Sequence, residues 1–467
     1  MKKSLFILVM LSFFGLSVNA QCTIILNFDS TNGADPFGDL YYDGTYLYGM
    51  TGAGGAHNVG NVFKIKPDGS DYTNLLNFDS INGNSPIGSL ISDGTYLYGM
   101  TQNGGTNQDG NVFKIKPDGS GYTDILDFDN TNGALPRGSL YYDGTYLYGM
   151  TQGGGANWYG NIFKIMTNGT SYADILDFNG TTNGGYPTGN LISDGIYLYG
   201  MTPSGGANDD GTIFKIKPDG SDYTKLLDFA GASNGKGPQG SLYYDGTYLY
   251  GMTQYGGTST ACSQGCGELF KIKPDGTDFD TLLNFNFSNG AQPLGSLISD
   301  GNFLYGMTVG GGPSIDNWGV IFKIKSDGSH YTKLFNFNGN FTNGSYFPQG
   351  SLISAGAFLY GTAESGGTFG QGVVFKIDSN AVADINEISE NNNVVVYPNP
   401  ASEFITISNR QWQEAVIEIT NIQGQLVKSL AATCNKTNID VSALPSGMYI
   451  VEVKTEKGIS VSKFIKE

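Results

Sequence analysis

Three observations predict an all-β chain, a seven-bladed β-propeller followed by a small immunoglobulin-like β-sandwich. The Leu of an "LYG" triplet returns at positions 47, 97, 147, 198, 249, 304 and 359. Two more markers keep step with it: "FKI" starting at 63, 113, 163, 214, 270, 322 and 375, and an "LLNF"-type segment running from 25–28 to 334–337. The third observation is compositional: 70 glycines stand beside 13% aromatics. A disordered chain would lack the aromatics, whereas short strands joined by glycine turns need both. A β-rich period of about 50 residues, repeated seven times, reads as propeller blades.

Residues 1–20 stand outside the repeats. Lys2 and Lys3, an apolar run over 4–17 and Val18-Asn19-Ala20 have the form of a cleavable signal peptide. The propeller is expected over 21–378. In its first unit strand A is predicted near 38–42, B near 45–51, C near 61–66 and D near 72–78. "DG" joins A to B and "KPDGSD" joins C to D, both tight-turn chemistry. The B–C and D–A connections are longer, so the two tight turns share one face and the two long loops share the other. The chain opens on a D-type strand, Thr23 to Phe28, and its last unit ends on a C-type strand at Ile377. The N-terminal strand should therefore pair with the last strand C and close the ring, removing exposed edges.

After Asp378 the composition changes. Residues 379–393 are acidic and Asn-rich and read as a linker. Residues 394–467 return to short alternating strands, the pattern of a small β-sandwich.

Two resemblances follow from quoted motifs. The combination of "LLNF", "NGAxPxGSL", "DGxxLYGMT", "GG" and "GNVFKI" resembles the GloVer-type tandem repeat of secreted bacterial proteins, which implies fold and export but no activity. Residues 394–467 resemble the C-terminal sorting domain of type IX secretion. The signature lies in Tyr397-Pro398-Asn399-Pro400, Gly424, Pro445, Gly447, Tyr449 and Lys463. That resemblance implies the type IX machinery as a partner, passage through the outer membrane, loss of the tail, and release or anchoring at the cell surface.

Charge narrows the partners. Residues 21–377 carry 16 Lys+Arg against 31 Asp+Glu, a net of −15 within a chain of net −17. Clustered cations for nucleic acid are absent, and twelve of the sixteen fall in the "FKIK" segment. No apolar stretch approaches the ~20 residues of a membrane span. Cys262 and Cys266, four apart in a loop, suit a local disulfide in an exported protein; Cys22 and Cys434 have no evident partner.

Catalytic constellations are thin. Two histidines, His57 and His330, stand far apart, and the propeller has two glutamates, Glu268 and Glu364. No catalytic residue, metal site or cofactor is expected. "DFDNTNG" (127–133) hints at a calcium loop, but its glycine falls one place late, and a turn is the better reading. Between the repeats, variation concentrates on the long-loop face. Just before strand A the residues run Phe37, Ile87, Arg137, Thr188, Gln239, Leu294 and Gln349, and the B–C loops carry Trp158, Tyr159, Tyr255, Trp318 and Phe369. Aromatics among amides suit a sugar or a protein surface; packing between blades is the alternative. The expected function is a binding module for a glycan or surface protein, with a polysaccharide-acting enzyme or a structural envelope protein as alternatives.

Overall fold

The computed structural model describes residues 22–312, 318–337, 346–379, 395–408, 415–421, 426–432, 436–455 and 458–467. The expected signal peptide lies outside them, as do nearly all of the expected linker, Gly424 and Cys434. The chain divides into two compact units between Ala383 and Asp384.

The first unit holds seven four-stranded antiparallel sheets. In the first blade strand A is Tyr41–Tyr42, B Leu47–Thr51, C Asn61–Ile65 and D Thr73–Asn77. Strands A and B are shorter than expected, for a reason visible in their hydrogen bonds. The Thr45 and Tyr46 N–H groups donate to the Asp43 carboxylate at 2.7 Å, holding a turn where strand was predicted. The Asp39 N–H donates sideways to Ser89 Oγ of the next blade at 2.7 Å. Asp43 also accepts the buried Tyr48 hydroxyl at 2.9 Å. Burial pushes its carboxyl upward, but these hydrogen bonds prevail and hold it below the usual carboxylate range.

Both repeated phenylalanine markers belong to the seams between blades. Phe78 directly follows strand D and meets Phe113 of the next strand C edge to face, ring centroids 5.3 Å apart. The pairing recurs around the ring, from Phe128–Phe163 to Phe337–Phe375. Within strand B, Tyr48 and Met50 pack with Leu97 and Phe113 of the following blade, while Leu47 packs with Tyr360 and Val374 of the preceding one. Gly49 must lack a side chain, because a Cβ there would lie 2.6 Å from the Phe63 ring.

The ring closes as expected. Thr23–Asn27 pairs antiparallel with Val373–Asp378 and so becomes strand D of the seventh blade. Phe28 then supplies the seventh edge-to-face pair, 5.3 Å from Phe63.

The "FKIK" cations also serve the seams. Lys64 Nζ donates to the Pro117 carbonyl of the next blade at 2.9 Å and lies 4.8 Å from the Tyr46 ring centre. Lys114, Lys164 and Lys215 repeat the tether at 2.9 Å each.

The second unit is a β-sandwich of a three-stranded sheet, containing Val395–Tyr397, Phe404–Ser408 and Lys436–Asp440, and a four-stranded sheet. The larger sheet runs Leu426–Ala432, Ala415–Asn421, Gly447–Thr455 and Gly458–Lys466. Ile405, Ile417, Val451 and Phe464 meet in its core.

Candidate functional site

The meander of each blade places the B–C and D–A loops at one end of the ring. Residues from those loops surround a cavity of about 300 Å³ at the axis. Its neck is built by backbone. A Cβ on Gly38 would lie 2.2 Å from the carbonyl of Gly88, and Gly88, Gly138, Gly189, Gly240 and Gly295 are crowded in the same way by the next blade.

Beside the glycines runs a closed belt of hydrogen bonds. The residue after each glycine donates its N–H to the side chain of its counterpart one blade on. Asp39 donates to Ser89, Ser89 to Ser139 and Ser139 to Asn190. The belt continues from Asn190 to Ser241, Ser296 and Ser351, and Ser351 donates to Asp39. Asp39 is its one ionisable member and stands at the seam between first and last blades. Enclosure by the ring pushes its carboxyl up, against hydrogen bonds from Ser351 and Ser89 that lower it.

Above the belt the seven variable residues do line the mouth, and they divide it. Phe37, Ile87 and Leu294 bring carbon. Blades 4 and 5 bring a polar relay: the Thr188 hydroxyl donates to Gln239 Oε1 at 3.0 Å, and Gln239 Nε2 donates to Gln254 Oε1 at 3.2 Å. In blade 7 the Gln349 amide donates to Glu364, whose carboxyl is raised first by burial and further by the charge of Asp35. Arg137 stands in blade 3, half-buried, and burial pushes its guanidinium pKa down. Sequence reasoning missed the belt and Gln254. The signal available was the polar residue after each pre-strand glycine.

The aromatic candidates do not converge. Trp158 stands at a loop tip, 67% exposed, and Phe369 is 58% exposed on the loop of blade 7. Tyr159 instead packs into the seam between blades 3 and 4, its ring 5.1 Å from Tyr186. Trp318 is half-buried against the core of blades 6 and 7. For these two, packing between blades is what the rings do. Tyr255 lines a separate side cavity of about 270 Å³ with Cys262, Gln264, Phe287 and Gln292. Cys262 and Cys266 are joined by a disulfide that pins the wall of that cavity, while Cys22 is a buried thiol whose pKa burial raises.

The remaining polar candidates have structural work. In "DFDNTNG" the Asp129 carboxylate accepts the Thr131 hydroxyl at 2.7 Å and the Thr131 and Asn132 N–H groups at 3.0 Å, so the segment is a turn. His57 is exposed, and His330 bonds Ser329 on the tight-turn face. Among the described residues, no three His, Cys, Asp or Glu are grouped to hold a metal ion.

Glu268 stands where the first blade has Asn61, opposite the Thr at the end of strand B. It is buried, and burial raises its carboxyl to about 6, opposed by the Thr281 hydroxyl. The folded chain therefore binds this proton more tightly than the unfolded one. The favourable contribution is complete below the unfolded value, about 4.3, and is lost as pH rises through about 6. Glu268→Gln should raise stability at pH 7 by about 1 kcal/mol and leave it unchanged near pH 4, as read from melting curves at the two pH values.

In the second unit the sorting signature is assembled at one edge. Asn399 Oδ1 accepts the Ile465 N–H at 2.8 Å and its amide donates to the Lys463 carbonyl at 3.3 Å, tying the "YPNP" segment to the last strand. The Tyr449 hydroxyl donates to the Pro445 carbonyl at 2.8 Å, and its ring stacks on Phe464 at 5.5 Å. Lys463 is exposed, and Tyr397 is partly exposed beneath Lys436 Nζ.

No helix among the described residues is long and apolar enough to cross a membrane. The Gloeobacter/Verrucomicrobia repeat matches residues 12–151, 141–262 and 255–409, and the secretion system C-terminal sorting domain matches 395–467. Among solved structures the chain is similar to PorZ, a bacterial surface component of the type-IX secretion system of Porphyromonas gingivalis. The identity is 15% and the TM-score 0.47, over 95% of this chain and 60% of that one. An oligogalacturonate lyase is similar at 13% identity and a TM-score of 0.50, over 78% of this chain and 94% of that one. These likenesses concern the fold. No curated protein matches the chain. The chain belongs to the Gloeobacter/Verrucomicrobia repeat family, as a secreted, cell-surface-associated β-propeller exported through its type IX sorting domain.

Proposed function

We propose that the propeller is a binding module that presents its long-loop face to a surface glycan. The observation that carries this reading is the contrast between the two faces. On the tight-turn face the lysines tether neighbouring blades and the aspartates hold turns. On the long-loop face Trp158 and Phe369 are exposed, among loops where the copies stop agreeing. An exposed ring stacks on the C–H face of a sugar, and nearby amides meet its hydroxyls. Export to the cell surface puts the module where such ligands are.

The test is a glycan array probed with the mature chain. Binding to a subset of glycans, reduced at least about tenfold by Trp158→Ala at unchanged melting temperature, is the expected result. Turnover of a polysaccharide would favour the enzyme reading instead. Silence on the array together with unchanged surface assembly would leave no role for the rim.

A further inference from the structure

Sixteen cations serve the propeller, and twelve lie in "FKIK" segments. Of the other four, Lys225 pairs with Asp228 at 2.8 Å, Lys236 with Asp210 at 2.8 Å, and Lys333 donates to the Ser288 carbonyl at 3.3 Å. Arg137 is the fourth. Its guanidinium is half-buried in the wall of the axial cavity and has no carboxylate or hydrogen-bond partner among the described residues. A guanidinium carries five donors and does not give up its charge in a protein. None of the Arg137 nitrogens is sealed from solvent, so these donors are open to the cavity and available to an anion that enters it.

The rest of the cavity says which anion. Gln239 spends an amide proton on Gln254 Oε1, and this leaves Gln254 Nε2 as a donor without a partner among the described residues. Ile87 and Leu294 supply apolar wall on either side of the polar arc. About 300 Å³ lies at the small end of ligand cavities, room for one sugar ring and not for a folded chain. Asp39 shares the lumen, within a propeller of net −15 (16 basic against 31 acidic residues over 21–377), so a single negative charge is tolerated better than two.

We infer that the mouth of the axial channel is a site for a hexuronic acid, its carboxylate held by Arg137 and its hydroxyls met by the Gln254 amide. This goes beyond the rim reading, because it requires no contact with Trp158 or Phe369. Guanidinium and carboxylate match as a two-pronged pair, which a lysine cannot reproduce.

Calorimetric titration of the mature chain at pH 7 with glucuronate, galacturonate, glucose and inorganic phosphate tests it. At least one uronate should saturate with a Kd of about 1 mM or tighter, and glucose and phosphate should bind at least about tenfold more weakly. Arg137→Gln should weaken the uronate about tenfold or more, and Arg137→Lys severalfold; the Lys variant decides if the Gln variant fails to fold. Trp158→Ala should leave uronate affinity unchanged, so failure here and failure of the rim reading are separate results. The inference is overturned if no uronate saturates, if glucose or phosphate binds as tightly, if neither Arg137 variant changes the affinity, or if Trp158→Ala abolishes binding.

Discussion

Deleting residues 22–29 behind an intact signal peptide should lower the melting temperature of the propeller by about 10 °C or more. The deletion removes the whole strand paired with Val373–Asp378 and the Phe28 ring that fills the last seam. Truncating one fully buried phenylalanine costs about 3–5 kcal/mol, and the strand's hydrogen bonds add to it. Total domain stability is only about 5–15 kcal/mol. The cost is felt by every blade, since each is held by the next and an open ring exposes Val373–Asp378 as an unpaired edge. Phe28→Ala should show a smaller loss in the same direction. An unchanged melting temperature in the deletion would refute closure by the N-terminal strand.

Truncating the chain after Asn393 should remove nearly all of it from the cell surface and the medium, with the propeller retained in the periplasm. The residues removed are those matched by the sorting domain, and their signature is assembled into a folded edge around Asn399, Tyr449 and Phe464. Because the propeller closes on its own N-terminal strand, its melting temperature should be unchanged. Fractionation and immunoblotting read both compartments. Undiminished protein outside the cell would show that the sorting residues do not direct export.

The fold was legible because seven copies must obey one geometry. The phase of the markers, opening on a D-type strand and ending on a C-type strand, already implied the closure seen between Thr23–Asn27 and Val373–Asp378. Strand lengths were less legible. Asp43 and Asp39 divert backbone N–H groups to a side chain and to the neighbouring blade, and alternation of apolar residues does not reveal that. At the mouth, variation between copies located the lining residues, including Arg137. It could not separate rings that stay exposed from those that pack. Trp158 and Tyr159 are neighbours on one loop, yet Trp158 stands exposed at a backbone φ of +67° while Tyr159 packs into the next seam, as Trp318 does in its own loop. The belt from Asp39 to Ser351 escaped notice because serine after glycine reads as an ordinary turn residue.

The division of labour between the two faces is tested most directly by one paired affinity measurement. The mature chain would be titrated with a glycan that binds it on the array, alongside two double variants of equal thermal stability. One is Trp158→Ala with Phe369→Ala on the long-loop face. The other is Lys66→Ala with Asp71→Ala, which removes a surface ion pair on the tight-turn face. The long-loop variant should lose at least about tenfold in affinity and the tight-turn variant should match the parent. A loss confined to the tight-turn variant, or equal affinity in all three, would contradict recognition by the long-loop face.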